Sequence, residues 1–353
     1  MKIPLEEIER QEWIKAWSGK WSILTCTYLG EQHSHTVKPT LGKCLPHLIL
    51  IVKHGISTCY YQKKELKEFE SHLSKRAQKD EGFIRKECGE LISQANEIRW
   101  SITKLKGMRI GKSEHSLFLK HLYSYISSHM AVKRLPDSIP PEMLSKDLPK
   151  LQAARVYAEP VYTEVEEYME HMGRQIGKEN RIPANLVLCS RKEELEKYFS
   201  SGKMPRYDEL RARDGISALI FVDGKYELVT GKGAEKVEAS LHGKTEIGEL
   251  RGVSAYPGKA IGKARIIVDP KKGKDFRKGE ILITGMTRPE YIHLIKLAGA
   301  VVTDAGGMLS HAAITARELH IPTIVGTEKA TKVFREGEML EVDATRGIVR
   351  KKS

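Results

Sequence analysis

The C-terminal part takes its fold from DAGGMLSHAAITAREL, residues 304–319. The apolar run Gly299–Val302 just before it is typical of a strand, and the periodic apolar residues after His311 are typical of a helix. Gly306 and Gly307 lie between the two and favour a tight loop, because glycine adopts backbone angles that other residues avoid. The pattern therefore predicts a strand, a Gly-Gly loop and a helix, with His311 in the first helical turn.

That position suits His311 to nucleophilic chemistry. The positive end of a helix dipole disfavours imidazolium and leaves a neutral ring nitrogen, and it stabilises negative charge that arrives later. Gly306 and Gly307 let backbone amides approach an anion closely, Ser310 adds a hydroxyl, and Arg317 adds a cation less than two turns away. A lone histidine at a helix start is more often a cap or a surface residue, but the whole pattern favours a catalytic His311 with these four residues supporting a phosphate.

The surrounding sequence predicts an α/β domain over residues 252–350. Short β-branched runs indicate strands, and Pro289–Leu297 and His311–Leu319 indicate helices. The expected strands are Gly262–Val268, Glu280–Thr284, Gly299–Val302, Thr323–Val325, Met339–Val342 and Gly347–Arg350.

This domain resembles the phosphohistidine domain of the phosphoenolpyruvate-utilising enzymes, such as phosphoenolpyruvate synthase, pyruvate phosphate dikinase and rifampicin phosphotransferase. The resemblance implies a swivelling β/β/α domain that moves between a nucleotide site and a second substrate site, with His311 as the phosphorylated residue. The matching blocks are Tyr256–Gly262, Gly285–Glu290, Gly306–Gly307 through Arg317–Leu319, Ile321–Pro322 through Val325–Gly326, and Val342–Asp343 with Gly347.

One departure from the family pattern lies two residues before the histidine. The dikinases and synthases have there a threonine that a regulatory kinase modifies, whereas this chain has Leu309. We therefore expect that mode of control to be missing. His293 and His320 are the nearest other histidines, and we interpret both as structural.

Two further domains are expected before the phosphohistidine domain: a mainly helical α+β region, 1–180, and a small α/β unit, 181–247. Trp13, Trp17 and Trp21, spaced by four, predict one face of a helix over 5–21. Other predicted helices are 63–78, 80–105, 114–132, 148–176 and 231–241. The predicted strands are 186–188 and the two hairpins 48–52 with 56–61 and 216–222 with 226–229, and a capping box is expected at Ser190 and Glu193.

The glycines of residues 243–258 indicate a hinge. Gly248, Gly252 and Gly258 are its candidate pivots, because a few permissive residues can absorb a domain rotation. We predict that 252–350 moves as a rigid body about this segment, with a fixed interface as the alternative.

Composition narrows the protein class. The net charge is +13 over 353 residues, and no apolar run approaches the roughly 20 residues needed to cross a bilayer, so we expect a cytoplasmic protein without membrane contact.

Five cysteines without metal-ligand spacing predict free buried thiols, and His33 with His35 is interpreted as a loop rather than a zinc site. No metal site is expected. The basic surface suits phosphate-bearing ligands, and nucleic acid ranks low because no ordered basic and aromatic array is present.

No phosphate-binding glycine motif is visible in 1–251, and no barrel domain is expected after Ser353. The resemblance therefore implies a phosphotransferase component that is incomplete alone, with Mg²⁺ and ATP on a separate ATP-grasp partner and an unknown acceptor bound by the N-terminal region. A phosphocarrier or regulatory protein without its own acceptor is the alternative. A nucleic-acid-binding protein with a disused domain is a third and weaker interpretation.

Overall fold

The computed structural model describes residues 5–241 and 249–352. Contacts divide the chain into two units. The first unit comprises Met1–Trp13 and Gly19–Gly243, and the second comprises Ile14–Ser18 and Lys244–Ser353. Each unit has a sheet, so mixed α and β structure is found as predicted.

The first unit is mainly helical and has one five-stranded sheet of order β1-β3-β2-β4-β5. The helices are α1 Leu5–Glu9, α2 Ile23–Glu31, α3 Lys38–Leu41, α4 Lys63–Lys79, α5 Phe83–Leu105, α6 Lys112–Arg134, α7 Pro141–Ala158, α8 Val161–Asn180, α9 Ala184–Val187, α10 Lys192–Ser201, α11 Tyr207–Asp214 and α12 Lys232–Ser240. The strands are β1 Trp13–Lys20, β2 His47–Lys53, β3 Ile56–Gln62, β4 Ile216–Val222 and β5 Lys225–Thr230, and Gln32–Thr36 forms a π-helical turn.

The predicted boundary at residue 180 is wrong, because β2 and β4 are neighbours in one sheet. Leu50 of β2 lies opposite Leu219 of β4 in an antiparallel ladder, and both side chains are buried. Residues 181–241 therefore share the core of the first unit rather than forming a domain of their own. Both predicted hairpins are confirmed, since β2 pairs with β3 and β4 pairs with β5.

Several local predictions in this unit are corrected. The predicted helix 5–21 is a short helix α1 followed by strand β1. The predicted helix 148–176 is two helices that are separated at Pro160, and the predicted strand 186–188 lies largely in helix α9. The capping box is formed by Arg191 and Glu194, one residue later than Ser190 and Glu193.

The second unit has an eight-stranded mixed sheet of order β6-β13-β12-β8-β9-β10-β11-β7. Its strands are β6 Glu249–Arg251, β7 Val253–Tyr256, β8 Lys259–Ile266, β9 Ile281–Thr284, β10 Ala300–Thr303, β11 Thr323–Val325, β12 Met339–Asp343 and β13 Ile348–Lys351. Its helices are α13 Ile292–Ile295, α14 His311–Leu319 and α15 Ala330–Val333. β8, β9, β10 and β11 are parallel, and aliphatic residues such as Ile281, Val302 and Ile324 are fully buried in the core.

Two predictions about the whole chain concern its cysteines and its longest helices. All five cysteines are free and buried, as predicted. Among residues 5–241 and 249–352, no helix is both long and apolar enough to cross a membrane.

Candidate active site around His311

The site is formed where two parallel strands end. β9 leads into the loop that carries Thr287, and β10 leads into the Gly-Gly loop and then into α14. The carboxyl ends of neighbouring parallel strands lie at the same edge of a sheet, which is where open α/β sheets place their ligands. His311 is the first residue of α14, as predicted from the sequence.

Ser310 starts the helix that carries the histidine. Its extended backbone and its side-chain oxygen, which accepts a hydrogen bond from the Ala313 amide at 3.3 Å, make it the N-cap residue. The Ser310 amide in turn donates to the Gly307 carbonyl at 2.9 Å. These two bonds fix the start of α14 and hence the place of the His311 side chain.

Gly306 provides the close turn before the helix. Its φ of +128° lies in a region that side chains rarely adopt, and a Cβ there would lie 3.0 Å from Ser310 Oγ. Asp304, 4% exposed, holds the loop at its strand end, because its carboxylate accepts hydrogen bonds from the amide and the hydroxyl of Thr331. The loop is thus held at both ends and available for an anion between them.

The imidazole of His311 lies between two threonine hydroxyls. Thr287 Oγ1 is 2.9 Å from Nδ1, and Thr315 Oγ1 is 3.4 Å from Nε2. Burial lowers the pKa of His311 below its ordinary value, and the charge of Glu290 opposes that shift. The ring is therefore predominantly neutral near pH 7 and has one nitrogen free of its proton.

Arg317 contacts the loop that precedes α14. Its Nη2 donates to the Met308 carbonyl at 2.8 Å, so the guanidinium supports the segment between Gly307 and the helix. Its role beside a phosphate stays a prediction, as do those of Gly306, Gly307 and Ser310. Leu309, in the place of the regulatory threonine, is buried.

Sequence reasoning did not assign Thr287 and Thr315. Thr315 is four residues after His311, and that spacing on a helix brings two side chains to one face. Thr287 falls within the quoted block Gly285–Glu290, but only the tertiary structure brings it to the imidazole.

Two of the three predicted hinge glycines lie among the described residues of the second unit and form hydrogen bonds there. The Gly252 amide donates to the Gly347 carbonyl, and Gly258, with φ of +138°, donates to Thr345 Oγ1. Gly248 lies outside the described residues, and the hinge stays a prediction.

The fold and the site together define an α/β domain that carries a histidine at the start of a helix, beside the end of a parallel strand. In the comparison with known proteins, residues 276–347 match the family described as "PEP-utilising enzyme, mobile domain".

Similar proteins are named phosphoenolpyruvate synthases. The chain is 51% identical over 102 residues to "Probable phosphoenolpyruvate synthase" of Staphylothermus marinus, covering 28% of this chain and 12% of that protein. It is 39% identical over 136 residues to phosphoenolpyruvate synthase of Aeropyrum pernix, a match that covers 37% of this chain and 17% of that protein. It is 37% identical over 162 residues to phosphoenolpyruvate synthase of Aquifex aeolicus, a match that covers 43% of this chain and 19% of that protein. The chain thus spans less than a fifth of the length of these relatives.

Proposed function

We propose that this chain is a phosphotransferase component in which His311 accepts a phosphoryl group from a donor and passes it to an acceptor bound by the N-terminal region. The observation that carries the proposal is the neutral, half-buried His311 at the start of α14, hydrogen-bonded to Thr287 within the residues that match the mobile-domain family. Mg²⁺ and ATP belong, in this proposal, to a separate ATP-grasp protein.

The reacting atom is His311 Nε2. When Nδ1 donates its proton to Thr287, the lone pair is on Nε2, whose contact with Thr315 is long for a hydrogen bond. The lone pair forms the N–P bond while the P–O bond to the donor's leaving group breaks and takes its electron pair with it. Onward transfer breaks the N–P bond as an acceptor oxygen forms a new P–O bond. The loop and the helix start stabilise the phosphoryl charge meanwhile.

Labelling with radioactive phosphate tests the proposal. The full chain is incubated with cell extract and either γ-labelled ATP or labelled phosphoenolpyruvate, and we expect acid-labile, base-stable label with one of them. His311→Gln abolishes it, whereas His293→Gln and His320→Asn keep it; asparagine suits position 320 because its φ is +57°. Acid-labile label on the His311→Gln chain would contradict the proposal.

A phosphocarrier without a small acceptor is the second candidate function. The phosphocarrier would use the same histidine as the phosphotransferase. The two functions differ in which molecule receives the label after it leaves His311. Label that moves to a small molecule supports the phosphotransferase, and label that moves only to another protein supports the phosphocarrier.

The proposal includes movement of the second unit. In-line transfer needs the nucleophile about 3–3.5 Å from phosphorus, and one histidine meets that condition at two distant sites only if its domain moves. The segment before β6, with Gly248, is the proposed pivot. Backbone ¹⁵N relaxation of the full chain should give the two units different correlation times, whereas one shared time would count against the swivel.

A further inference from the structure

The first unit contains basic side chains that the proposed chemistry does not use. We define the basic cluster as His33 of the π-helical turn, His129, Lys133 and Arg134 of α6, and Arg155 of α7. His33, His129 and Arg155 are 5%, 4% and 7% exposed. Such groups are seldom buried without a partner, so the cluster requires an explanation.

Carboxylates neutralise only part of the positive charge of the basic cluster. Arg134 lies 3.5 Å from Glu70, and Arg155 pairs with Glu159. Lys133, which is mostly buried, forms no ion pair within the part of the chain that the structure describes. The ammonium of Lys133 is therefore available to a further anion.

Polar atoms of the cluster also lack partners. Among the described residues, His129 Nε2, Arg155 Nε and Arg134 Nη2 are buried without a hydrogen bond, as are both side-chain amide atoms of Gln32, the residue before His33. A buried polar group left without a hydrogen bond is costly, and native proteins contain few of them. Several in one region of one unit indicate that something absent from the chain itself normally satisfies them.

Positive charge predominates around His129, although Glu70 and Asp137 lie near Arg134 and Asp137 also acts on Lys133. Every charge that acts on His129 lowers its pKa in the same direction as burial does, and these charges are Arg155, Lys133, His33 and Arg134. Burial also lowers the pKa of Lys133, and Arg134 and Arg155 are the largest charges acting on it. An anion among these groups reverses that repulsion.

We propose that the basic cluster binds the oxyanion group of a small molecule, a carboxylate or a phosphate. Lys133 supplies the charge, and Arg155 Nε and His129 Nε2 supply hydrogen bonds. The Tyr162 hydroxyl lies 2.6 Å from His129 Nδ1, so when it donates there the ring proton is on Nε2, where it faces the anion. The inference rests on the proposed function in one respect: the bound molecule is the phosphoryl acceptor.

Thermal unfolding of the full chain tests the binding, with inorganic phosphate and acetate in separate arms. We expect Tm to rise with one of them, and the anion that raises it identifies the group. Lys133→Met and Arg155→Met should each weaken the apparent affinity at least tenfold. Lys120→Met, at an exposed position on the same helix, should not. A Tm that neither anion changes, or a rise that both variants retain (an adventitious ion only), overturns the proposal.

A second measurement needs no variant. In the ¹⁵N-labelled wild-type chain, the His129 Nε2 resonance should move on addition of the anion that raises Tm, and a resonance that stays in place overturns the proposal. Labelling of His311 is scored separately, so its failure would remove the proposed function and leave the anion site. The ratio of label on the acceptor to label on His311 should fall at least tenfold in Lys133→Met. An unchanged ratio means that the molecule bound by the basic cluster is not the acceptor.

Discussion

The two nitrogens of His311 have unequal environments. Nδ1 has a hydroxyl partner at 2.9 Å, and Nε2 has a weaker contact at 3.4 Å. This inequality selects a tautomer, because the nitrogen with the better acceptor keeps the proton. Burial lowers the pKa of the ring and so favours its neutral form, which is the form that the proposed reaction requires.

Replacement of Thr287 by valine should slow the labelling of His311 without abolishing it. Valine keeps the shape but removes the hydroxyl, and the loss of one such hydrogen bond, about 1.4 kcal/mol, corresponds to about tenfold in rate. The initial rate of labelling measures the effect. Thr287→Ser, which keeps the hydroxyl, is the control and should label at nearly the wild-type rate. Equal rates for the valine and serine variants would remove Thr287 from the mechanism.

At the scale of elements, the second unit was predictable from sequence. Its strands are short apolar runs that glycines and turns separate, and each of the six predicted strands is present within a few residues of its expected bounds. The helix His311–Leu319 agrees in both bounds, because Ser310 caps its start and His320 ends it in the left-handed conformation. Thr287 was not predictable as a partner of His311, because that contact depends on how β9 and β10 pair.

The errors in the first unit have physical causes. A spacing of four puts Trp13, Trp17 and Trp21 on one face of a helix, but it also puts residues on one face of a strand, whose period is two. Tryptophan favours strands, and Trp13–Lys20 forms strand β1. The three residues Leu186–Leu188 are too few to show a period, and Pro183, which caps α9, was the better signal.

At the scale of the whole molecule, acid stability depends on buried histidines. Burial lowers the pKa of His33 and of His115 to about 3, whereas unfolded histidine titrates near 6.5. The unfolded chain therefore binds more protons between those values, and the stability these residues provide above pH 6.5 is lost as the pH falls towards 3. Glu70 and Glu166, whose pKa burial raises to about 7, act in the opposite direction.

A variant of His115 isolates one of these contributions. When the pH is lowered from 7 to 5, the free energy of unfolding should fall by about 2 kcal/mol more in the wild type than in His115→Gln. The reason is that only the wild type has the imidazole of His115 to protonate when the chain unfolds. Urea unfolding at the two pH values measures the difference. The exposed His35→Gln gives the baseline. A His115→Gln chain with the same pH dependence as His35→Gln would show that His115 is not held neutral.

The burial of all five cysteines makes selective labelling of this protein possible. All five lie between Cys26 and Cys189, every one is buried, and burial raises the pKa of Cys88 to about 11 and of Cys59 and Cys189 to about 12. The thiolate is the form of cysteine that attacks alkylating reagents, so native thiols should react only when the first unit opens, at a rate that reports the population of the opened form. Residues 249–352 contain no cysteine. A single cysteine introduced on the surface of the second unit would therefore take up a dye or spin label alone, with all five native thiols left in place.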